Sequence, residues 1–160
     1  MRAAGLGVNY TSVVSIGAVS GLRSMSGPAI VSKAVRGHRI DLRGTPLAWL
    51  GSGSALRTSA LLAVGELIAD KLPSTPDRLN PASLIIRALS GALCGYAISR
   101  RESSNSEKWG SALVGATAAL AASLAGSSFR RKTKLPKMAA ALAEDAVAMA
   151  TGAAAIAAIG

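Results

Sequence analysis

Charged residues inside apolar stretches are the first candidates for chemistry in this chain. Seven ionisable side chains fall within long apolar runs: Arg23, Arg57, Glu66, Asp70, Arg87, Glu144 and Asp145. An ionised group in an apolar helix is costly to bury and is retained mainly where it has a partner or a function. Close carboxylates share a proton and push one pKa upward, which would suit them to carry a proton or a cation.

Several of these charges are predicted to lie at similar depth. At 1.5 Å per residue, Glu66 and Arg87 each lie about 9 Å inside the ends of their apolar segments, and Glu144 about 12 Å inside its own. We therefore predict an intramembrane polar site formed from six residues: Arg23, Glu66, Asp70, Arg87, Glu144 and Asp145. The alternative is structural: Arg87 neutralises Glu66 and Glu144 and fixes helix register. Asp70 could equally be an interfacial residue paired with Lys71.

The composition of the chain indicates the environment in which these charges lie. The chain has 160 residues, of which 50% are apolar and only 3% aromatic, and its mean hydropathy is +0.39. Ala, Gly and Ser dominate the apolar runs, as in helices that pack closely in lipid. The net charge of +10 lies mostly in the breaks between these runs, where membrane proteins place Lys and Arg. This distribution argues against a nucleic-acid partner and predicts a single multi-pass transmembrane domain over residues 1–160.

Five apolar segments predict an all-α bundle of about five helices. Their approximate bounds are Val8–Val35, Thr45–Leu72, Asn80–Ser99, Trp109–Phe129 and Pro136–Gly160. The first is interrupted by Gly21–Pro28, because Pro28 lacks an amide hydrogen and restricts the residue before it. Such a break could bind an anionic group at Arg23, or it could be a simple kink.

Small residues predict where helices pack closely, and aromatic residues predict which segment ends lie at the membrane interface. Four-residue spacing of small side chains predicts tight helix crossings at three sets: Gly17 and Gly21; Gly91 and Gly95; Ala118, Ala122 and Gly126. Trp49, Tyr96 and Trp109 fall near segment ends, which is typical of rings at the membrane interface.

The basic residues between the segments leave two paths open for the fourth segment, which could span the membrane or be re-entrant. If all five segments span, seven Lys or Arg face one side and eight the other, so the positive-inside rule gives no orientation. A re-entrant fourth segment would restore a bias of twelve against three. The shared depth of the carboxylates and Arg87 favours a spanning segment instead, and we give it more weight.

Three segments of the chain resemble motifs of a known family. They are Gly21–Ser24, Gly65–Pro73 and Leu142–Asp145, and they are similar to the multi-spanning family called domain of unknown function 4126. The resemblance covers nearly the whole chain. It implies an α-helical membrane protein with no assigned reaction.

Two short segments, Ala63–Glu66 and Ala141–Glu144, also resemble each other. Each lies on the second helix of a pair, with one helix between the pairs. This 2+1+2 arrangement suggests an inverted repeat, which is common in transporters.

The leading functional hypothesis is a small transporter or channel for an ion or a small charged solute. The alternatives are a structural or assembly subunit and a protein that binds lipid headgroups through its basic connections. We do not expect an enzyme or a cofactor, because the sequence has no nucleophile with an adjacent base and no phosphate-binding glycine loop. Expected partners are membrane lipids, a second copy of the chain in a homo-oligomer, or other membrane subunits.

Overall fold

The computed structural model describes residues 8–69, 80–99, 103–134 and 136–158, with no side-chain detail for residues 137 and 138. All regular structure in these ranges is helical, which confirms the predicted all-α class. The described helices are α1 (Tyr10–Leu22), α2 (Ser26–Arg36), α3 (Gly53–Ala69), α4 (Pro81–Ile98), α5 (Asn105–Lys132) and α6 (Lys137–Ala157), with a short 3-10 helix at Ala48–Gly51 before α3.

The break in the first segment divides it into α1 and α2, which accounts for six helices where about five were predicted. The gap is narrower than Gly21–Pro28, since α1 ends at Leu22 and α2 begins at Ser26. Pro28 lies in the first turn of α2, where amide groups have no partner within the helix and proline is tolerated.

Helices α1 and α2, the two parts of the first segment, form a hairpin. Asn9, just before α1, donates to the Ala158 carbonyl at 3.3 Å, and Arg39, just after α2, donates to the Ile156 carbonyl at 3.5 Å. The open end of the hairpin therefore lies at the end of α6, and its tip at Arg23–Met25 lies deep in the bundle. The two helices have 13 and 11 residues, or about 20 and 17 Å, which is less than the roughly 30 Å of a hydrocarbon core.

Three helices are long and apolar enough to cross a membrane: α4, α5 and the part of α6 from Ala139 to Ala157. Helix α5 is continuous over 28 residues, or about 42 Å, so it cannot enter and leave on one side. The fourth segment is therefore not re-entrant. The chain doubles back in the first segment instead.

Capping residues mark several helix starts. Asn80 accepts from the Ala82 amide at 3.1 Å, which confirms the predicted start of α4. Ser104 and Glu107 form a capping box that starts α5 four residues before the predicted Trp109. The predicted helix start at Thr45 is wrong, because the Thr45 hydroxyl closes a turn onto the Leu42 carbonyl at 2.7 Å and α3 begins only at Gly53.

Helices α1, α4 and α5 pack closely through small residues. A Cβ atom added at Gly17 would lie 2.6 Å from the Gly115 carbonyl, and one added at Gly91 would also clash with that carbonyl. The predicted glycine pairs of α1 and α4 thus lie at crossings. On α5 the buried residues include Ser111, Gly115, Ala119, Ser123 and Gly126. Gly126 of the predicted stripe is therefore buried, whereas Ala118 and Ala122 are half-buried beside this face.

Both tryptophans and both tyrosines of the chain lie at one end of the bundle, which we call the aromatic end. Tyr10 starts α1, Trp49 lies in the 3-10 helix, and Tyr96 packs edge-to-face against Trp109 with ring centroids 5.7 Å apart. This arrangement extends the prediction that these rings lie at a membrane interface. The hairpin tip lies toward the opposite end, which we call the cluster end.

Candidate functional site: a charge cluster at the hairpin tip

Four helices and the hairpin tip bring charged side chains together near the cluster end. The charge cluster comprises Arg23, Glu66, Arg87, Arg130, Glu144 and Asp145. Three of these residues are arginines and three are carboxylates, so the described members balance in formal charge. Their elements are the hairpin tip, the C-terminal parts of α3 and α5, and the N-terminal parts of α4 and α6.

Glu66 caps the start of α2. Its carboxylate accepts from the backbone amides of Ser24 at 2.9 Å and Met25 at 3.0 Å, and from the Ser24 hydroxyl at 3.0 Å. Both amides belong to the two residues just before α2, beside the helix N-terminus, whose partial positive charge favours a carboxylate. A carboxylate supplied by α3 therefore satisfies these donors and fixes the position of the hairpin tip.

Arg87 caps the end of α1. Its guanidinium donates to the carbonyls of Gly21 and Leu22, the latter at 3.1 Å, and to the Ser83 hydroxyl at 3.2 Å. The last carbonyls of a helix carry partial negative charge, which a cation complements. The Gly21 carbonyl also accepts from the Ser123 hydroxyl at 2.8 Å, so α4 and α5 both bind this end of α1.

The two caps form an ion pair with each other. Arg87 Nη2 lies 3.8 Å from Glu66 Oε1, and both side chains are largely buried. Ser90 adds a hydrogen bond from its hydroxyl to the Ser24 carbonyl. The break in the first segment is thus stabilised at both of its helix ends by side chains from other helices.

Arg23, at the hairpin tip, binds Asp145 of α6. The Arg23 side chain is 2% exposed, and its Nε donates to Asp145 Oδ1 at 2.7 Å while Nη2 donates to the same oxygen. Arg23 also donates to the Glu66 carbonyl at 3.4 Å. The second carboxylate oxygen, Asp145 Oδ2, is buried and accepts no hydrogen bond from the described residues. Buried polar atoms are nearly always bonded, so this oxygen is an open acceptor in the cluster.

Glu144 is bound by Arg130 of α5. The guanidinium makes two parallel bonds, Nε to Oε1 at 2.8 Å and Nη2 to Oε2 at 2.7 Å. A two-pronged pair of this kind is among the strongest hydrogen-bonded arrangements in proteins. Gly126 of α5 lies beside the pair, since a Cβ atom there would be in ordinary contact with Glu144 Oε1 at 3.6 Å.

The structure places most of the predicted site residues together. Arg23, Glu66, Arg87, Glu144 and Asp145 all lie in the charge cluster. Asp70 and the predicted partner Lys71 lie outside the described residues. Arg57, one of the seven charges in apolar runs, is an exposed residue near the start of α3, far from the cluster.

Arg130 was missed as a site residue because it was assigned to the basic connection after the fourth segment. The described helix α5 continues to Lys132, which puts Arg130 within a helix and beside α6. The alternative in which Arg87 neutralises Glu144 is therefore corrected, because the bidentate partner of Glu144 is Arg130. A helix extended from Ser104 through the basic run would have indicated this from the sequence.

In the described part of the chain, no group of three or more His, Cys, Asp or Glu side chains could hold a metal ion. The carboxylates of the cluster are each bonded to arginine.

These features define a class of protein: an all-helical bundle with span-length helices and a broken, charge-capped hairpin at its centre. Within that class, the chain belongs to the family described as domain of unknown function (DUF4126), whose model matches residues 11–158. Neither a curated protein nor a solved structure matches the chain.

Proposed function

We propose that this chain is a multi-pass membrane protein that moves a proton or another small cation through the charge cluster at the hairpin tip. The membrane part of the proposal is supported by the three span-length helices and by large apolar side chains on the outside of the bundle, among them Leu61, Leu89, Leu113 and Met149. Such surfaces are stable in contact with lipid and unfavourable in water.

The transport part rests on the open oxygen of Asp145. Asp145 Oδ2 is buried and has no hydrogen-bond partner among the residues that the structure describes, beside a hairpin whose two helix ends meet inside the bundle. Broken helices of this kind line ion sites in transporters, because their ends present backbone groups without helical partners. Binding of a proton or a cation at Oδ2 would weaken the bond to Arg23 and release the hairpin tip.

Flux through reconstituted protein tests this proposal. Vesicles with an internal pH dye report proton entry, and replacing the external cation tests other ions. Asp145→Asn removes the charge and keeps the shape, and should abolish the flux. Glu107→Gln is a matched control, because Glu107 is an exposed carboxylate of the capping box that starts α5. Equal flux in Asp145→Asn and in the unaltered protein would refute the proposed role.

A structural or assembly role is the second candidate, and one observation favours it. Glu66 and Arg87 both bind backbone groups at the hairpin tip. This is the role expected of a purely structural cluster. Under this alternative, Asp145→Asn would lower the melting temperature of the protein while no cation tested gave measurable flux. The two candidates therefore differ in flux and not in stability.

A further inference from the structure

A cleft at the aromatic end is separate from the charge cluster. Its volume is about 390 Å³, within the range of roughly 300–1,000 Å³ that ligand sites occupy. The segment between α2 and α3 forms it, with the end of α2 and the 3-10 helix. The lining residues that matter are Arg36, His38, Asp41, Arg43 and Ala48.

The polar lining of the cleft is basic. Arg36 and Arg43 are both exposed at its surface. Asp41 holds Arg43 in place through bonds of 2.9 Å to Nε and 3.0 Å to Nη2, and these bonds raise the pKa of Arg43 above its ordinary value. The guanidinium stays charged, and its exposed edge away from Asp41 suits the oxygens of a phosphate group.

The apolar lining suits a lipid. Val35, Ile40 and Leu42 form part of the wall, and Ile40 and Leu42 belong to the buried core. A ligand with a phosphate and an adjoining apolar part would match both kinds of wall. A free inorganic anion would use only the arginines.

The position of the cleft fits a membrane surface. Trp49 lies in the 3-10 helix that borders the cleft and is 55% exposed. Exposed tryptophans, together with the other rings of the aromatic end, mark the level of lipid headgroups. Basic pockets at that level bind anionic headgroups.

We infer that this cleft binds the phosphate headgroup of an anionic phospholipid, with Arg36 and Arg43 on the phosphate and Val35 and Leu42 against the adjoining apolar part. The inference does not depend on transport, because its test measures binding alone.

Quenching of Trp49 fluorescence by brominated lipids tests the site. The Trp109→Phe background leaves Trp49 as the reporter, since the chain has two tryptophans. The protein is placed in phosphatidylcholine vesicles that contain an equal small fraction of brominated phosphatidylglycerol or brominated phosphatidylcholine. We expect stronger quenching by phosphatidylglycerol. The Arg36→Gln and Arg43→Gln changes should each reduce that preference about fivefold.

Two controls separate the cleft from general surface charge. Lys33→Gln removes the same single charge from an exposed residue nearby that does not line the cleft, and should leave most of the preference. Ala48→Phe fills the cleft while keeping every arginine, and should abolish it. Equal quenching by the two lipids, or a preference that survives Ala48→Phe, would overturn the inference. Loss of the preference on adding inorganic phosphate would also overturn it, since the site would then take a free anion.

Discussion

Glu66 and Arg87 meet at the tip of the α1–α2 hairpin, with 3.8 Å between Oε1 and Nη2, and each caps a different helix. Glu66 binds the amides of the two residues that precede α2, and Arg87 binds the last carbonyls of α1. The pair therefore holds both helix ends of the break. A break that would otherwise leave buried backbone groups without partners becomes a fixed part of the fold.

Changes at this pair should be strongly coupled. Glu66→Gln and Arg87→Gln should each lower the free energy of unfolding by about 3–5 kcal/mol, because each leaves a buried partner uncompensated. The double variant should lose less than the sum of the two, by about 0.5–3 kcal/mol. Denaturant unfolding in detergent measures all four species. Strict additivity would show that the two side chains act separately.

The ion pair between Arg130 and Glu144 should make the stability of the protein depend on Arg130 and not on the neighbouring Arg131. Glu144 is 6% exposed, so Arg130→Gln leaves a buried carboxylate without its bidentate partner and should cost about 3–5 kcal/mol of stability. Arg131→Gln removes the same charge from an exposed residue one position along and should change stability by less than about 0.5 kcal/mol. Equal melting temperatures for the two variants would contradict this account of the pair.

The glycines of α5 offer a test of helix packing within one helix. A Cβ atom at Gly115 would clash with the Gly91 carbonyl, whereas one at Gly110 meets no atom within 4 Å. Gly115→Ala should therefore destabilise the protein, by about 1–3 kcal/mol if the crossing yields. Gly110→Ala should stabilise it by about 0.4–1 kcal/mol, because alanine loses less backbone freedom on folding. Thermal unfolding of the two variants should shift in opposite directions.

The hairpin predicts which segments share a side of the membrane. Cysteines at Asn9 and Gly37 should react with an impermeant reagent from the same side, because both positions lie at the open end of the hairpin. A cysteine at Lys132 or Thr133, at the end of α5, should react from the other side. A Cys94→Ser background removes the native thiol, which is buried.

Each outcome of the labelling is informative. Opposite sides for Asn9 and Gly37 would mean that the first segment crosses the membrane once, against the hairpin. The same side for Gly37 and Thr133 would mean that α5 fails to span.

Much of the fold follows from local patterns. The start of α4 at Asn80–Pro81 was predictable because a capping side chain and a proline at the first turn are local signals. The break around Arg23 was predictable for the same reason. The path of the chain after the break was not, since a proline in the first turn allows either a kink or a hairpin. The 2+1+2 inverted repeat stays a prediction; the described helices show that α3 runs toward the cluster end and α6 away from it.

The sequence by itself determined that the chain is helical, that it carries membrane-length apolar segments, and that its buried charges would have to meet. Hydropathy and helix signals are local, and the energy of burying charge is large enough to require partners wherever they lie. The pairing of Arg87 with Glu66 was already one of the alternatives drawn from the sequence. Only the tertiary structure decided that Arg130 pairs with Glu144 and Arg23 with Asp145. Ion pairing depends on distances of a few ångströms between helices remote in sequence, and these distances are set by the small-residue crossings of α1, α4 and α5 and not by the spacing of the charges along the chain.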